Sequence, residues 1–185
     1  PNNVNSVCKS IEDLKARTKQ NPVDIIAVSK QQPAELIKLA IDSGLLDFAE
    51  NNISETIAKQ SIISLPTITW HYVGPMQSNK CRDIAATYDW VQSISTEKQA
   101  MKLNKECLKI DEKINVLVQV NISENIGQSG CGAENTEAML RGFNELKALK
   151  LRGLMCIASK ENPEEDFKKM HSLYLKLKTT YNLDT

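Results

Sequence analysis

The stretch VDIIAVSKQQP, residues 23–33, decides how the rest of the chain is interpreted. Its first part is almost entirely apolar, which predicts a strand over 23–28 that is buried on both faces. Lys30 follows this strand, and Pro33 then starts an amphipathic helix. In α/β barrels the chemistry lies at the carboxyl ends of interior strands, where a partly desolvated amine can condense with an aldehyde. On position alone, a lysine that merely ends a strand at the surface is the alternative.

The composition argues against several classes of protein. The 185 residues carry 23 basic and 23 acidic side chains, which are scattered and form no basic cluster of the kind that binds nucleic acid. No apolar run approaches the length of a membrane span, and no signal-peptide pattern opens the chain. The five cysteines are widely spaced and the histidines number only two. We therefore expect no disulfide framework, no metal site and a cytoplasmic location.

Apolar patterns predict strands and helices in regular alternation. Strands are predicted over 23–28, 47–50, 67–73, 90–94, 115–120 and 151–157. Helices are predicted over 7–19, 33–43, 54–61, 79–87, 134–149 and 164–181, with one more that is capped by Ser95 and ends near Ile110. This order gives six βα units with parallel strands. Because a closed barrel has eight, in about 250 residues, an open doubly wound sheet is equally compatible with the pattern.

The candidate site lies at the carboxyl ends of these strands. For His71, a packed core histidine and a ligand contact are about equally good interpretations. The loop over 127–132 is rich in glycine but lacks the spacing of a nucleotide-binding motif. No pair of facing carboxylates is present, which argues against a glycosidase. The strand ends supply one amine, amides, an imidazole and a thioether: Ser29-Lys30, Glu50-Asn51-Asn52, 71–74, Ser93, Asn121 and 155–158.

Six blocks in this order resemble one known family. They are VDIIAVSKQQP, DFAENNISE, ITWHYVGPMQSNK, WVQSIS, NVLVQVNIS and LRGLMCIA, and together they cover essentially the whole chain. They resemble the pyridoxal phosphate homeostasis proteins (YggS-like or PROSC-like), which are similar to the N-terminal barrel of alanine racemase standing alone. The resemblance implies a TIM (β/α) barrel of the alanine racemase N-terminal type. About six of its eight βα units are present, in a single domain over 1–185 that binds pyridoxal 5′-phosphate (PLP).

The resemblance also assigns the cofactor-binding residues. It implies that Lys30 holds PLP as a Schiff base, and that Asn51, His71 and Met155 lie near the cofactor. An amide suits the edge of the cofactor, and flat or polarizable groups suit its ring. This chain departs from its relatives by carrying Gln32 and Gln128, Pro75 and Asn52 where they usually have two lysines, a histidine and an aromatic residue.

A further departure concerns the end of the chain. Relatives continue with blocks that resemble the phosphate-binding loops of the barrel, which commonly follow its seventh and eighth strands. The sequence begins without Met and stops at Leu183-Asp184-Thr185, where a seventh strand is due. We therefore expect a fragment, or a protein that lacks its last two units.

The function that the resemblance implies is non-catalytic PLP binding in intracellular PLP homeostasis, with no catalytic residues. Two-base racemisation is disfavoured because alanine racemase takes its second base from a separate domain. Two alternatives stay open: a low-activity PLP-dependent amino-acid racemase or lyase, and a degenerate relative that no longer binds PLP. We expect apo PLP-dependent enzymes as partners, and a monomer or weak dimer.

Overall fold

The computed structural model describes the backbone of residues 2–18 and 23–185, and the side chains of residues 4–13 and 23–185. Helices and parallel strands alternate along it, as predicted, and short 3₁₀ turns cover Ser78–Lys80, Ala133–Asn135 and Phe143–Glu145. The strands are β1 Ala27–Val28, β2 Asp47–Glu50, β3 Thr69–Tyr72, β4 Trp90–Ile94, β5 Ile114–Val120 and β6 Leu149–Cys156. The helices are α1 Asn2–Thr18, α2 Ala34–Asp42, α3 Ile53–Ile62, α4 Cys81–Thr87, α5 Glu97–Lys109, α6 Thr136–Gly142 and α7 Pro163–Tyr181.

The chain divides into two compact units, Pro1–Trp70 and His71–Thr185, and the boundary falls inside β3. A single domain over 1–185 remains a prediction. Position 19 of the predicted first helix lies outside the described residues.

In the first unit, β1 and β2 are parallel, with Val28 opposite Ala49. The Thr69 amide donates to the Leu46 carbonyl at 2.9 Å, which brings the start of β3 beside β2. Behind these strands the rings of Phe48 and Trp70 pack with their centroids 5.9 Å apart. Both side chains are buried, so they form the apolar core on which the strand ends rest.

The predicted strand over 23–28 is wrong in two respects. Only Ala27 and Val28 form β1, and Val23 and Val28 are 49% and 58% exposed, so the strand is not buried on both faces. The physical reason is that β1 is short and, in the described part of the first unit, is hydrogen-bonded to β2 alone. An apolar run in a sequence does not distinguish such an edge strand from an interior one.

The helix after Pro33 begins and ends as predicted. Pro33 is its N-cap and Ser43 its C-cap, and Gly44 follows with φ of +87°, a conformation that glycine adopts without strain. Its sequence pattern predicts an apolar face of Leu36, Ile37, Ala40 and Ile41, but Leu36 is 47% exposed whereas Ile37 is buried. A short helix buries only a narrow stripe of its surface, which here includes Ala34 and Ile37 but not Leu36.

In the second unit, β3 to β6 are parallel neighbours in chain order. Val91 of β4 and Val116 and Val118 of β5 are fully buried and belong to the apolar core of this unit. The backbone of Leu183–Thr185 runs beside β6, where the Leu154 amide donates to the Thr185 carbonyl at 3.2 Å and the Asp184 amide to the Arg152 carbonyl at 2.8 Å.

Two predicted helices of this unit are corrected. Thr96, not Ser95, is the N-cap of α5, where its hydroxyl and the Gln99 side chain form a reciprocal capping box. The predicted helix over 134–149 contains only α6, with 3₁₀ turns before and after it, and Leu149 already starts β6. The apolar residues Phe143, Leu146 and Leu149 continue the three-residue spacing of a helix in the sequence, although the backbone leaves the α-helix after Gly142.

Two cysteines lie in the layer between α4 and α5. Cys81 and Cys107 are free and have no exposed surface. Burial raises the pKa of the Cys107 thiol to about 11, and it also raises the pKa of Cys81. These thiols therefore act as small apolar groups of the core.

Candidate functional site

Lys30 lies two residues beyond the end of β1, as predicted. The preceding residue, Ser29, is buried, and its amide donates to the Ala49 carbonyl at 3.0 Å, which extends the pairing of β1 with β2. The Lys30 side chain is exposed, and no ion pair holds its amine among the residues that the structure describes. The expectation of a partly desolvated amine is therefore wrong, because Lys30 occupies a turn that leaves the sheet.

A buried cluster of charged side chains lies directly behind this turn. The Glu50 carboxylate, at the end of β2, accepts at Oε1 from the Ser29 hydroxyl at 2.7 Å and from the Lys59 ammonium at 2.6 Å. Glu50 is fully buried and Lys59, from α3, is 5% exposed. The Lys59 ammonium also donates to the Ser29 carbonyl at 2.8 Å and to Glu55 Oε1 at 2.5 Å. Charges taken out of water in this way are costly unless they are paired.

Glu55 connects this cluster to the other side of the turn. Its Oε1 accepts from the Gln31 backbone amide at 2.7 Å, in addition to Lys59. The hydrogen bond from Lys59 lowers the pKa of Glu55 from its ordinary value, and the Gln31 amide lowers it further. Gln31 has φ of +61°, which is uncommon for a residue other than glycine.

Glu50 has one oxygen that the cluster does not satisfy. Oε2 is buried and has no hydrogen-bond donor within the described part of the chain. A buried carboxylate oxygen without a donor carries a desolvation cost of about 1–3 kcal/mol. It is therefore an acceptor that a bound molecule with a suitable donor would satisfy.

Asn51 and Asn52 follow Glu50 at the end of β2, and both are exposed. Asn52 is the N-cap of α3, where its Oδ1 accepts from the Glu55 amide at 3.3 Å. This role explains the departure from an aromatic residue at that position. Asn51 lies at the same edge of the first unit as Lys30, because β1 and β2 end side by side.

His71 lies inside β3 in the second unit and is buried. Its Nδ1 is 3.0 Å from Gln92 Nε2, and its ring stacks on Trp90 with centroids 5.4 Å apart and planes 23° apart. The Arg152 guanidinium also lies over Trp90, 4.9 Å from the ring centroid. His71 is therefore packed and hydrogen-bonded in this structure, and a ligand contact for it stays a prediction.

Arg152 is itself held in place. It pairs with the Asp184 carboxylate at 2.7 Å and donates to Asn115 Oδ1 at 3.0 Å. Met155 lies farther along β6 on the same strand, opposite Gln119 of β5, and is half-buried. Two strands, β4 and β5, lie between the strand of His71 and the strand of Met155.

The loop after β5 folds back onto its own strand. The Gln119 side chain donates to the Ser129 carbonyl at 2.8 Å, and the Cys131 amide to the Gln119 carbonyl at 2.9 Å. Gln128, which stands where relatives usually have a lysine, donates to the Ile157 carbonyl at 2.6 Å. Gly130 has φ of +139°, and a Cβ there would lie 2.4 Å from the Asn121 amide nitrogen. These bonds hold the loop against the end of β5 and the residues after β6.

Two other strand-end residues serve the structure itself. The Ser93 hydroxyl donates to the Gly74 carbonyl at 2.6 Å. Asn121 holds its own loop, because its side chain bonds both the amide and the carbonyl of Asn125. Among the described residues, no group of three or more His, Cys, Asp or Glu side chains could hold a metal ion.

Comparison with known proteins identifies the family. A model of the alanine racemase N-terminal domain matches residues 3–181. A pyridoxal phosphate homeostasis protein of Pseudomonas aeruginosa is 34% identical over 178 residues, which are 95% of this chain and 76% of that protein. The chain belongs to the pyridoxal phosphate homeostasis protein family. Its strands and helices are those of the alanine racemase N-terminal barrel, with six βα units in this chain.

Solved structures share the fold of this chain. PipY of Synechococcus elongatus, solved without PLP, is 30% identical, with a TM-score of 0.81 over 92% of this chain and 83% of its own. The same protein solved with PLP bound is 29% identical, with a TM-score of 0.78 over 92% of this chain and 82% of its own. An alanine racemase of Clostridium difficile shares the fold, at 16% identity and a TM-score of 0.71 over 89% of this chain and 47% of its own.

The sequence pattern does not indicate the burial of Lys59 or its pairing with Glu55. It predicts only that both belong to a helix, yet they hold the turn that carries Lys30. Their spacing of four residues was the available signal, because it places both side chains on one face of a helix. That spacing is common on solvated helix faces, and nothing in it indicates burial.

Proposed function

We propose that this chain binds PLP through a Schiff base to Lys30 and serves as a non-catalytic PLP reservoir in the cytoplasm. The observation that carries the proposal is the position of Lys30. Its amine follows β1 in a family whose member PipY was solved with PLP bound, and no ion pair within the described residues engages it. An amine that is accessible and uncommitted fits a ligand that carries an aldehyde.

The other proposed contacts are Asn51, His71 and Met155. Asn51 supplies an exposed amide at the edge where Lys30 lies. In the second unit, His71 supplies a ring that Trp90 and Gln92 hold in one orientation. Met155 supplies a half-buried thioether. These are a hydrogen-bonding group and two groups suited to pack against an aromatic ring. PLP itself supplies the aldehyde and a phosphate dianion.

The proposed setting is a reducing compartment. All five cysteines are free thiols, as is usual for cytoplasmic proteins. None of the helices in the described ranges has the length and apolar character to cross a membrane. The recipients that we propose are apo enzymes that depend on PLP.

The test is spectroscopic. The purified protein, mixed with PLP, is expected to develop the visible absorbance of an imine, and borohydride is expected to fix the PLP mass on the peptide that contains Lys30. Lys30→Ala is expected to lose both signals, whereas Lys38→Ala, which changes an exposed lysine of α2, is expected to keep them. A wild-type protein without the band or the adduct would overturn PLP binding at Lys30. Turnover of D- or L-alanine by the PLP-bound protein would instead overturn the proposal that the protein is non-catalytic.

A further inference from the structure

The backbone on both sides of Lys30 is held by charged side chains that the proposed function does not use. On one side, the Ser29 carbonyl accepts from the Lys59 ammonium at 2.8 Å. On the other side, the Gln31 amide donates to the Glu55 carboxylate at 2.7 Å. Lys59 and Glu55 also bond each other at 2.5 Å. A single pair of charges in α3 therefore restrains the residues before and after Lys30.

Glu50 ties this pair to the sheet. Its Oε1 accepts from Lys59 at 2.6 Å and from the Ser29 hydroxyl at 2.7 Å, and the whole side chain is buried. Ser29 is thus bonded at its amide, its carbonyl and its hydroxyl. A residue held at three polar groups has little freedom, and it fixes the direction in which the next residue leaves the strand.

The conformation of Gln31 shows what the restraint achieves. Its φ of +61° costs a residue with a side chain on the order of 1 kcal/mol or more. The charge-assisted hydrogen bond from its amide to Glu55 offsets the cost of the left-handed conformation.

We propose that Glu50, Glu55 and Lys59 are positioning residues, which fix the turn so that the Lys30 amine meets the aldehyde carbon of PLP. The inference rests on the proposed function. In the step concerned, the neutral amine adds to the carbonyl carbon, a carbon–nitrogen bond forms, and the carbonyl oxygen leaves as water with both amine hydrogens. No oxidant or reductant is needed. A fixed backbone lowers the entropy lost in that step.

The test separates the covalent step from simple binding. Glu55→Gln and Lys59→Met are expected to slow imine formation about tenfold, by misplacing Lys30. Binding of pyridoxine 5′-phosphate, the alcohol analogue that cannot condense, is expected to stay near the wild-type value. Lys59→Arg, which keeps the charge, is expected to recover much of the rate, and Lys38→Met, on the exposed face of α2, to leave it unchanged.

Because Lys59→Met leaves the buried Glu50 carboxylate without its cation, a paired variant guards against loss of folding. Glu50→Gln with Lys59→Met removes both buried charges and is expected to fold while still slowing imine formation. Wild-type rates in Glu55→Gln and in the paired variant would overturn the positioning role while PLP binding stands. Equal losses for PLP and its alcohol analogue would also overturn it, since they indicate a general structural defect. A wild type that forms no imine overturns the proposed function and this inference together.

A second measurement needs no cofactor. Hydrogen exchange of the Gln31 amide reports its bond to Glu55 directly. We expect protection in the wild type and in Lys38→Met, and faster exchange in Glu55→Gln. An unprotected Gln31 amide in the wild type would overturn the restraint itself.

Discussion

At the scale of single residues, Lys59 is the cation on which the buried charges of the first unit depend. Lys59→Met leaves the Glu50 carboxylate buried and unpaired, which we expect to lower the free energy of unfolding by about 3–5 kcal/mol. Glu50→Gln combined with Lys59→Met leaves no buried, unpaired carboxylate and is expected to lower the free energy of unfolding by less. Urea denaturation of both variants checks this, and a double variant as unstable as the single one would contradict it.

Two glycines of the loop after β5 form a matched pair. Gly130→Ala would place a Cβ 2.4 Å from the Asn121 amide nitrogen and 2.8 Å from the Val120 carbonyl carbon, at φ of +139°. Both contacts are to backbone atoms, so we expect a loss of about 1–3 kcal/mol in the free energy of unfolding. Gly127→Ala, at φ of +84° with nothing within 4 Å, is expected to cost less in the same urea measurement. An equal loss of unfolding free energy in both variants would contradict the role of the close backbone contacts at Gly130.

For single residues, the sequence predicted the place in the secondary structure better than the degree of burial. Lys30 does follow β1, because an apolar run, a polar break and Pro33 are all local signals. Its exposure, and the burial of Lys59, depend on contacts between segments about 30 residues apart, such as the bond from Lys59 to Ser29. No local pattern contains that information.

At the scale of an element, α5 shows how a charged side chain can be buried on a helix. Glu106 is buried and bonds Lys102 at 2.8 Å and Lys109 at 2.7 Å. The hydrogen bond from Lys102, then that from Lys109, lowers the pKa of Glu106 from 4.5 to about 2. A lowered pKa in the folded state means that this stabilisation is complete above about pH 4.5 and is lost as the pH falls through about 2.

We therefore expect Glu106→Gln to unfold at lower urea concentration than the wild type at neutral pH. The difference is expected to narrow as the pH approaches 2, where the wild-type carboxylate is protonated as well. Glu97→Gln, on an exposed position of the first turn of the same helix, serves as the control. A difference that does not change with pH would contradict the assigned ion pairs.

Element bounds were predictable where a local pattern and the tertiary contacts agree. The strands over 47–50 and 90–94 have the predicted bounds, because in each a buried core residue, Phe48 or Val91, sits in a short run that polar residues interrupt. The helix over 134–149 was predicted too long because 3₁₀ turns share most of the helical pattern. Pairing of Leu149 with Ile114 decides where β6 begins, and that contact is not local.

At the scale of the whole molecule, ligand binding and stability are linked. A ligand that binds only the folded chain raises the free energy of unfolding by ~2.7 kcal/mol when its free concentration is about 100 times Kd. We therefore expect added PLP to raise the Tm of the wild type and of Lys38→Ala, and to raise that of Lys30→Ala much less. Differential scanning calorimetry across a series of PLP concentrations checks this. An equal shift in Lys30→Ala would contradict covalent binding at that residue.

The six βα units and the family were predictable for the whole chain, because ordered sequence blocks recur among relatives. The division into two compact units within β3 was not, because it depends on how densely distant segments contact each other. His71 and Trp70 are adjacent in the sequence, yet they belong to different units.

The buried thiols of Cys81 and Cys107 can report how often α4 and α5 separate in the second unit. Alkylating reagents attack only a thiolate that they can reach, and burial suppresses both the ionisation and the access of these two sulfurs. A maleimide pulse would therefore mark them only in molecules whose α4 and α5 have separated. The rate at which the labelled fraction grows, measured by mass spectrometry, gives the rate at which these helices separate, and no engineered probe is needed.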